Sequence, residues 1–187
     1  MLEAGYTVTL YELGSNVGGL WVYGNDNGRS SAYRTLHINT ARDLTAFADH
    51  PFDTSVQAFP DHWDMAKYLR SYADHFGITL LIRFNTRVTD VRPAPDYSPA
   101  RPRWLITTGD GQTFEHDAVI VASGHLTKPM DVPAFRDTFK GEYLHSHHYK
   151  EPAPFGNKRI CIVGAGISAL DIASDVCSAA TRTVLVA

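Results

Sequence analysis

The stretch Ile160-Cys161-Ile162-Val163-Gly164-Ala165-Gly166-Ile167-Ser168-Ala169-Leu170-Asp171 decides the fold. Its first four residues are apolar and mostly β-branched, which reads as a strand, and the glycines after them read as a tight turn. A dinucleotide site needs this order: a strand, a turn, and a helix whose N-terminus faces a pyrophosphate. The first glycine permits the turn, and the second removes a side chain where phosphate must approach. A third small residue lets helix and strand pack closely. Gly164, Gly166 and Ala169 fill these places, with Ser168 and Asp171 in the opening turn of the helix. Downstream, Ile172 and Val176 share one helical face at a spacing of four, and Thr183-Val184-Leu185-Val186 reads as the next strand. A bare G-x-G-x-x-A match more often marks a simple turn; strand, helix and second strand in sequence make it a nucleotide-binding βαβ unit.

Ahead of the turn lies a spaced pattern, Phe139-x-Gly141-x-x-x-His145-x-x-x-Tyr149-Lys150. The opening residues, Met1 to Glu12, read as the tail of a helix, a strand and an acid at the strand's end. In a dinucleotide-binding unit such an acid accepts hydrogen bonds from a ribose hydroxyl, about twenty residues after the glycine turn. No glycine turn precedes Glu12, and the chain stops at Ala187, just past a strand. Both termini therefore read as cut, and the chain as a fragment of a longer enzyme. The alternative is a true start at Met1, with Glu12 a solvated strand-end carboxylate.

Composition agrees with an ordinary α/β protein. Of 187 residues, 44% are hydrophobic and 20% charged, which argues against disorder. A formal charge of −3 offers no electrostatic reason to expect nucleic acid or an anionic membrane as partner. No apolar run approaches the length of a membrane span and no signal peptide is visible, so a cytoplasmic location is expected. Cys161 and Cys177 do not form a C-x-x-C pair, and their apolar neighbours suggest small core residues. That spacing weighs against a disulfide reductase.

The middle of the chain is periodic. Asp61 to Phe76 carries a helical stripe, with apolar residues at 65, 66, 68, 69, 72, 73 and 76, and Gly77 stands where a helix ends. Strands are expected over Thr79 to Ile82, Thr86 to Val91, Trp104 to Thr108 and Thr113 to Glu115. Gly109-Asp110-Gly111 supplies a hairpin turn, and the proline-rich Arg92 to Pro102 a loop. Asp117 to Ser123 is continuously apolar and reads as the buried central strand of a parallel sheet. The fold class is α/β: two Rossmann-like dinucleotide folds, each incomplete, with a small β-meander inserted in the first.

On six stretches in order the chain resembles the flavin-containing monooxygenases. They are Glu12; the turn Gly18-Gly19-Leu20-Trp21; Tyr33-Arg34-Thr35-Leu36-His37-Ile38-Asn39-Thr40; and Phe59-Pro60 with the Tyr68-Leu69-x-x-Tyr72-Ala73 helix. Val121-Ala122-Ser123-Gly124 with Pro129 follows, and then the Phe139 pattern with the Gly164 turn. The resemblance implies an FAD-binding domain over residues 1–150 and the start of an NADPH-binding domain over 151–187. It implies that NADPH reduces FAD, that oxygen adds to the reduced flavin, and that the resulting flavin hydroperoxide oxygenates a small-molecule nucleophile. Baeyer–Villiger members usually carry tryptophan followed by proline or aspartate where this chain has Tyr149-Lys150, which favours oxidation of a nitrogen or sulfur atom.

By the same resemblance Asn39 is the catalytic candidate, steadying the flavin–oxygen adduct and the nicotinamide. An amide can donate and accept without adding charge, although a turn asparagine bonded to its own backbone is the plainer reading. Glu12, Gly19, Leu20, Trp21, Asn39 and Thr40 are implied contacts of FAD, and Gly164, Gly166, Ser168, Ala169 and Asp171 of NADPH. Asp171 is odd for an anion site and can equally pair structurally. No metal is expected: His145, His147 and His148 suit no common zinc spacing, and the Phe139 pattern already accounts for His145, as part of the linker between the two domains. Other readings stay open, namely a Baeyer–Villiger or N-hydroxylating enzyme, a non-oxygenating flavin oxidoreductase, or a non-catalytic nucleotide-binding fragment. The partners expected are an amine or sulfide and O2. The oligomeric state is open, a homodimer of the full-length enzyme being one arrangement. Lacking a first glycine turn, the isolated chain is expected to be inactive and to hold FAD weakly.

Overall fold

The computed structural model describes residues 1–130 and 132–187. In chain order its elements are β1 (Leu10–Tyr11), α1 (Arg42–Thr45), α2 (His62–His75), β2 (Ile82–Arg83), β3 (Val88–Pro93), β4 (Trp104–Thr108), β5 (Thr113–His116), α3 (Pro133–Thr138), β6 (Arg159–Val163), α4 (Ile167–Val176) and β7 (Arg182–Val186). Short 3₁₀ turns link several of them, among them Gly19–Trp21 and Ser146–His148. The class is α/β, with mixed sheets.

Helix α2 forms for the reasons its sequence suggests. The Asp61 side chain accepts from the Asp64 backbone N–H as an N-cap, and Gly77 beyond the last turn is left-handed, with φ 66°. Its buried face, Met65 and Tyr68 with Leu69 beside them, packs on Phe52, Trp21, Ile38 and Val56. Tyr68 and Phe52 stack with ring centroids 3.7 Å apart.

Strands β6 and β7 pair in parallel, Ile160 opposite Thr183 and Ile162 opposite Leu185. Helix α4 covers one face of this pair. Ile172 and Val176 are both buried and meet Ile160, Ile162, Tyr33 and Tyr149 in a second core. The unit is the βαβ module expected from the glycine turn. Strands β3, β4 and β5 form an antiparallel meander, and β4 begins and ends where the sequence suggests. The Thr108 hydroxyl and the Gln112 N–H both donate to Asp110 in the turn before β5. Tyr11 Oη lies 3.0 Å from His116 Nε2, tying the meander to β1.

Four expectations need correction. Residues 117–123 form no strand, and Ile120 and Val121 stand 70% and 78% exposed. A buried parallel strand needs a ladder on each edge, and no described strand lies alongside this segment. Ile78–Leu81 is a 3₁₀ turn, so the strand there is only Ile82–Arg83. The first strand shrinks to Leu10–Tyr11, matching the length of its single partner β2. Both cysteines are exposed rather than in the core. The reason for Cys161 is alternation: Ile160 and Ile162 face α4, which turns Cys161 and Val163 to the bare side of the sheet.

Candidate functional site

The glycine turn leaves open space at the start of α4. Gly164 has φ 117°, a conformation that a side chain strains, and its N–H donates to the Val186 carbonyl at 2.7 Å. A Cβ added at Gly164 or Gly166 would meet no atom within 4 Å, so the approach to the start of α4 is open. Gly166 is the N-cap, and Ile167 and Ser168 open the helix at the wall of a cavity of about 650 Å³.

The opposite wall is a braced loop. Gly18 has φ 128°, and a Cβ there would lie 2.9 Å from Val22 Cγ2 and 3.6 Å from Ala66 Cα on α2. The left-handed backbone and the tight Val22 contact are what call for glycine here. Gly19 is also left-handed, with φ 53°. The buried Asn25 donates from Nδ2 to the Gly19 carbonyl, and the Ser30 hydroxyl donates to the Leu20 carbonyl. Leu20 and Trp21 are thereby presented to the cavity, with Trp21 packed on the α2 core.

Asn39 is held by its neighbours. Ile38 N–H donates to the Pro60 carbonyl at 2.9 Å, and Arg42 N–H to the Ala58 carbonyl at 2.7 Å. The segment carrying Asn39 is thus laced to the approach of α2. Asn39 and Thr40 line the cavity, both exposed. Thr40 Oγ1 lies 2.7 Å from Thr45 Oγ1.

The family model described as "Flavin-binding monooxygenase-like" matches residues 1–187. The chain belongs to this family. Among curated proteins it is 34% identical over 191 residues to flavin-containing monooxygenase 5 of Rattus norvegicus, covering 98% of this chain and 36% of that protein. It is also 34% identical to dimethylaniline monooxygenase (N-oxide-forming) 2 of Cavia porcellus, at the same coverage. Among solved structures, the S-allyl-L-cysteine S-oxygenase of Allium sativum superposes with a TM-score of 0.82 at 30% identity. That match covers 98% of this chain and 46% of the oxygenase. The chain thus spans about 36% of the length of these curated flavin monooxygenases.

In this member of the family the cavity gathers Leu20, Trp21, Asn39, Thr40, Ser168 and Asp171. Gly19, Gly164, Gly166 and Ala169 do not line it, but each is within three residues of one that does. Ala169 N–H closes the first turn of α4 onto the Gly166 carbonyl. Glu12 does not line the cavity: its Oε1 takes the Gly14 N–H at 2.7 Å, closing the loop after β1. Asp171 faces the cavity but already accepts from the Tyr33 hydroxyl at 2.6 Å. The histidines 37, 125, 145 and 147, with Lys128, add donors to the rim. His145 Nδ1 accepts from the His147 N–H, and burial, then His148, hold His147 toward its neutral form. Among the described residues no group of three or more His, Cys, Asp or Glu side chains is placed to hold a metal ion. No helix among them is long and apolar enough to cross a membrane. Asn25, Ser30 and Lys128 escaped sequence reasoning, because a brace or a rim cation has no spacing of its own, and Tyr33 stood there only as part of a motif.

Proposed function

We propose that this chain forms the flavin- and nicotinamide-facing part of an FAD- and NADPH-dependent monooxygenase acting on a nitrogen or sulfur atom of a small molecule. The observation that carries this reading is the cavity itself, which brings Trp21 and Asn39 together with Ile167, Ser168 and Asp171 of α4. The residues fit the two cofactors. Open space at Gly164 and Gly166 leaves room for a phosphate, and the first N–H groups of α4 supply donors. Bound flavin with NADPH and O2 would supply the redox chemistry. The chain's own residues bind and orient. Ser168 and the N-terminus of α4 take the pyrophosphate, Trp21 offers a flat apolar wall, and Asn39 can donate to one partner while accepting from another. The Ile38 and Arg42 backbone bonds hold the main chain on either side of Asn39. Glu12 remains the candidate for a ribose hydroxyl through its second carboxylate oxygen.

Nitrogen or sulfur is favoured over carbonyl substrates by Tyr149-Lys150 and by the names of the similar proteins, an N-oxide-forming enzyme and an S-oxygenase. The test uses the full-length protein with FAD, NADPH and isotopically labelled oxygen, offered a tertiary amine, a thioether and a cyclic ketone. One labelled oxygen atom in an N-oxide or sulfoxide is expected. Ester from the ketone alone would assign the Baeyer–Villiger reaction instead, and NADPH oxidation that yields only hydrogen peroxide with all three would overturn oxygenation.

A further inference from the structure

Helix α4 carries two carboxylates at a spacing of four, Asp171 and Asp175, which therefore lie one above the other on one helical face. Each is met by a phenol that precedes β6 in the chain. Tyr33 Oη donates to Asp171 Oδ2 at 2.6 Å, and Tyr149 Oη donates to Asp175 Oδ2 at 2.5 Å. O–H···O⁻ bonds of this length are charge-assisted and among the stronger side-chain hydrogen bonds. The two rings meet edge to face, centroids 5.8 Å apart, and both are buried, Tyr33 at 6% and Tyr149 at 2% exposure.

The tyrosines are themselves tied together through the backbone. Arg34 N–H donates to the Lys150 carbonyl at 2.7 Å, and Lys150 Nζ reaches back to the Ser30 and Ala32 carbonyls at 2.7 and 3.0 Å. Residues 30–34 and 149–150 form one braced block, and its only two buried phenols both end on α4. Residue 33 begins the segment that runs through Leu36 to Asn39, and Ser168 lies three residues before Asp171. The block therefore links the Asn39 wall to the phosphate end of α4.

We propose that Tyr33 and Tyr149 are positioning residues that set the register of α4 against the Asn39 segment, so that the nicotinamide nucleotide held at Ser168 meets the flavin at the right distance. This rests on the functional reading above. Neither tyrosine needs to touch a cofactor; each acts through an aspartate of α4. The arrangement also settles the odd placement of Asp171 beside an anion site. Its Oδ2 is committed to Tyr33, so the carboxylate is directed into the clamp as well as toward the cavity. Burial, followed by the aspartate bond, pushes both phenols well above their ordinary pKa, so the clamp stays protonated through the physiological range.

The test compares Tyr33→Phe and Tyr149→Phe with the parent in the full-length holoenzyme. Phenylalanine keeps the ring and removes only the hydroxyl. The limiting rate of flavin reduction at saturating NADPH is measured without oxygen, alongside the melting temperature. Amide hydrogen exchange across Ile167–Val176 is measured without nucleotide. We expect reduction to slow by about 10- to 100-fold in Tyr33→Phe, as a displacement near 1 Å can cause. Exchange at the first turns of α4 should quicken in both variants. Asp175→Asn, which keeps a carbonyl acceptor for Tyr149, should leave exchange near the parent's, whereas Asp175→Ala should quicken it. A lowered melting temperature with unchanged reduction and exchange would reduce both tyrosines to plain core residues and overturn the proposal. A parent enzyme whose flavin NADPH does not reduce would overturn the functional reading itself, and the exchange arm would still report whether the clamp exists.

Discussion

His62 is wholly enclosed, and its two ring nitrogens have different surroundings. Nε2 lies 3.2 Å from the Arg34 carbonyl, which can only accept, so Nε2 carries the proton. Nδ1 has no hydrogen-bond partner, and the ring lies against Tyr23 and Trp63. A second proton would need an acceptor at Nδ1. Burial accordingly pushes the His62 pKa below its ordinary value, against an opposing pull from the Arg34 carbonyl and Asp61. The consequence has a sign. Below about pH 6.5 the unfolded chain takes up a proton that the native imidazole resists, so stability falls as pH is lowered through that range. Urea midpoints between pH 8 and pH 5.5 should therefore drop further for the parent than for His62→Gln, whose side chain does not titrate. Equal slopes would show that His62 is protonated where it stands. Nothing in the sequence marks His62 as special, because enclosure is a property of what packs around it.

Among the elements, α2 carries the packing that supports the Trp21–Asn39 wall. Phe52 stacks on Tyr68, and the Tyr68 hydroxyl donates to the His50 carbonyl while accepting the Phe47 N–H. Phe52→Ala should cost about 3–5 kcal/mol, because the ring is removed from a site that cannot collapse around a stacked partner. Urea unfolding checks this, and a loss under about 1 kcal/mol would mean the stack carries little. The helix was legible because its reasons are local: the Asp61 cap, the apolar stripe and Gly77 all lie within one stretch. The β6–α4–β7 unit was legible for the same reason, since its glycine turn and its Ile172–Val176 face are close in sequence. Residues 117–123 show the opposite case. Their apolar run reads as a central strand, but a strand exists only through its neighbours, and composition cannot say which neighbours are present. The site divides along the same line. Trp21, Asn39 and Ser168 sit in recognisable motifs, whereas the Tyr33–Asp171 bond spans 138 positions and could be seen only once the chain was folded.

Among the described residues the molecule has two core clusters, a cavity of about 650 Å³ and apolar surface beyond them. Ile120, Val121 and Met130 are 70%, 78% and 86% exposed, and Val163, Val184 and Val186 lie on the outer face of β6–β7. Exposed apolar surface of this extent is unusual for a free-standing protein and marks where further chain or a partner would pack. The 187 residues alone are therefore expected to bind a hydrophobic dye strongly and to be recovered without yellow colour. Residues 1–150 contain no strand–glycine turn–helix to take the FAD pyrophosphate. Stoichiometric flavin absorbance in this chain would contradict that.

Cys161 gives that outer face a chemical reporter. It points away from α4 in the middle of β6, opposite Val184, and it is exposed. Its rate of alkylation therefore measures what covers the sheet: fast where the face is open to water, slow where more protein lies on it. Cys177, exposed at the end of α4 with its Sγ on the Ser174 carbonyl, supplies an internal reference on a different surface. The ratio of the two labelling rates, read peptide by peptide, turns a pair of thiols with no role in the cavity into a gauge of how the rest of the fold closes over this sheet.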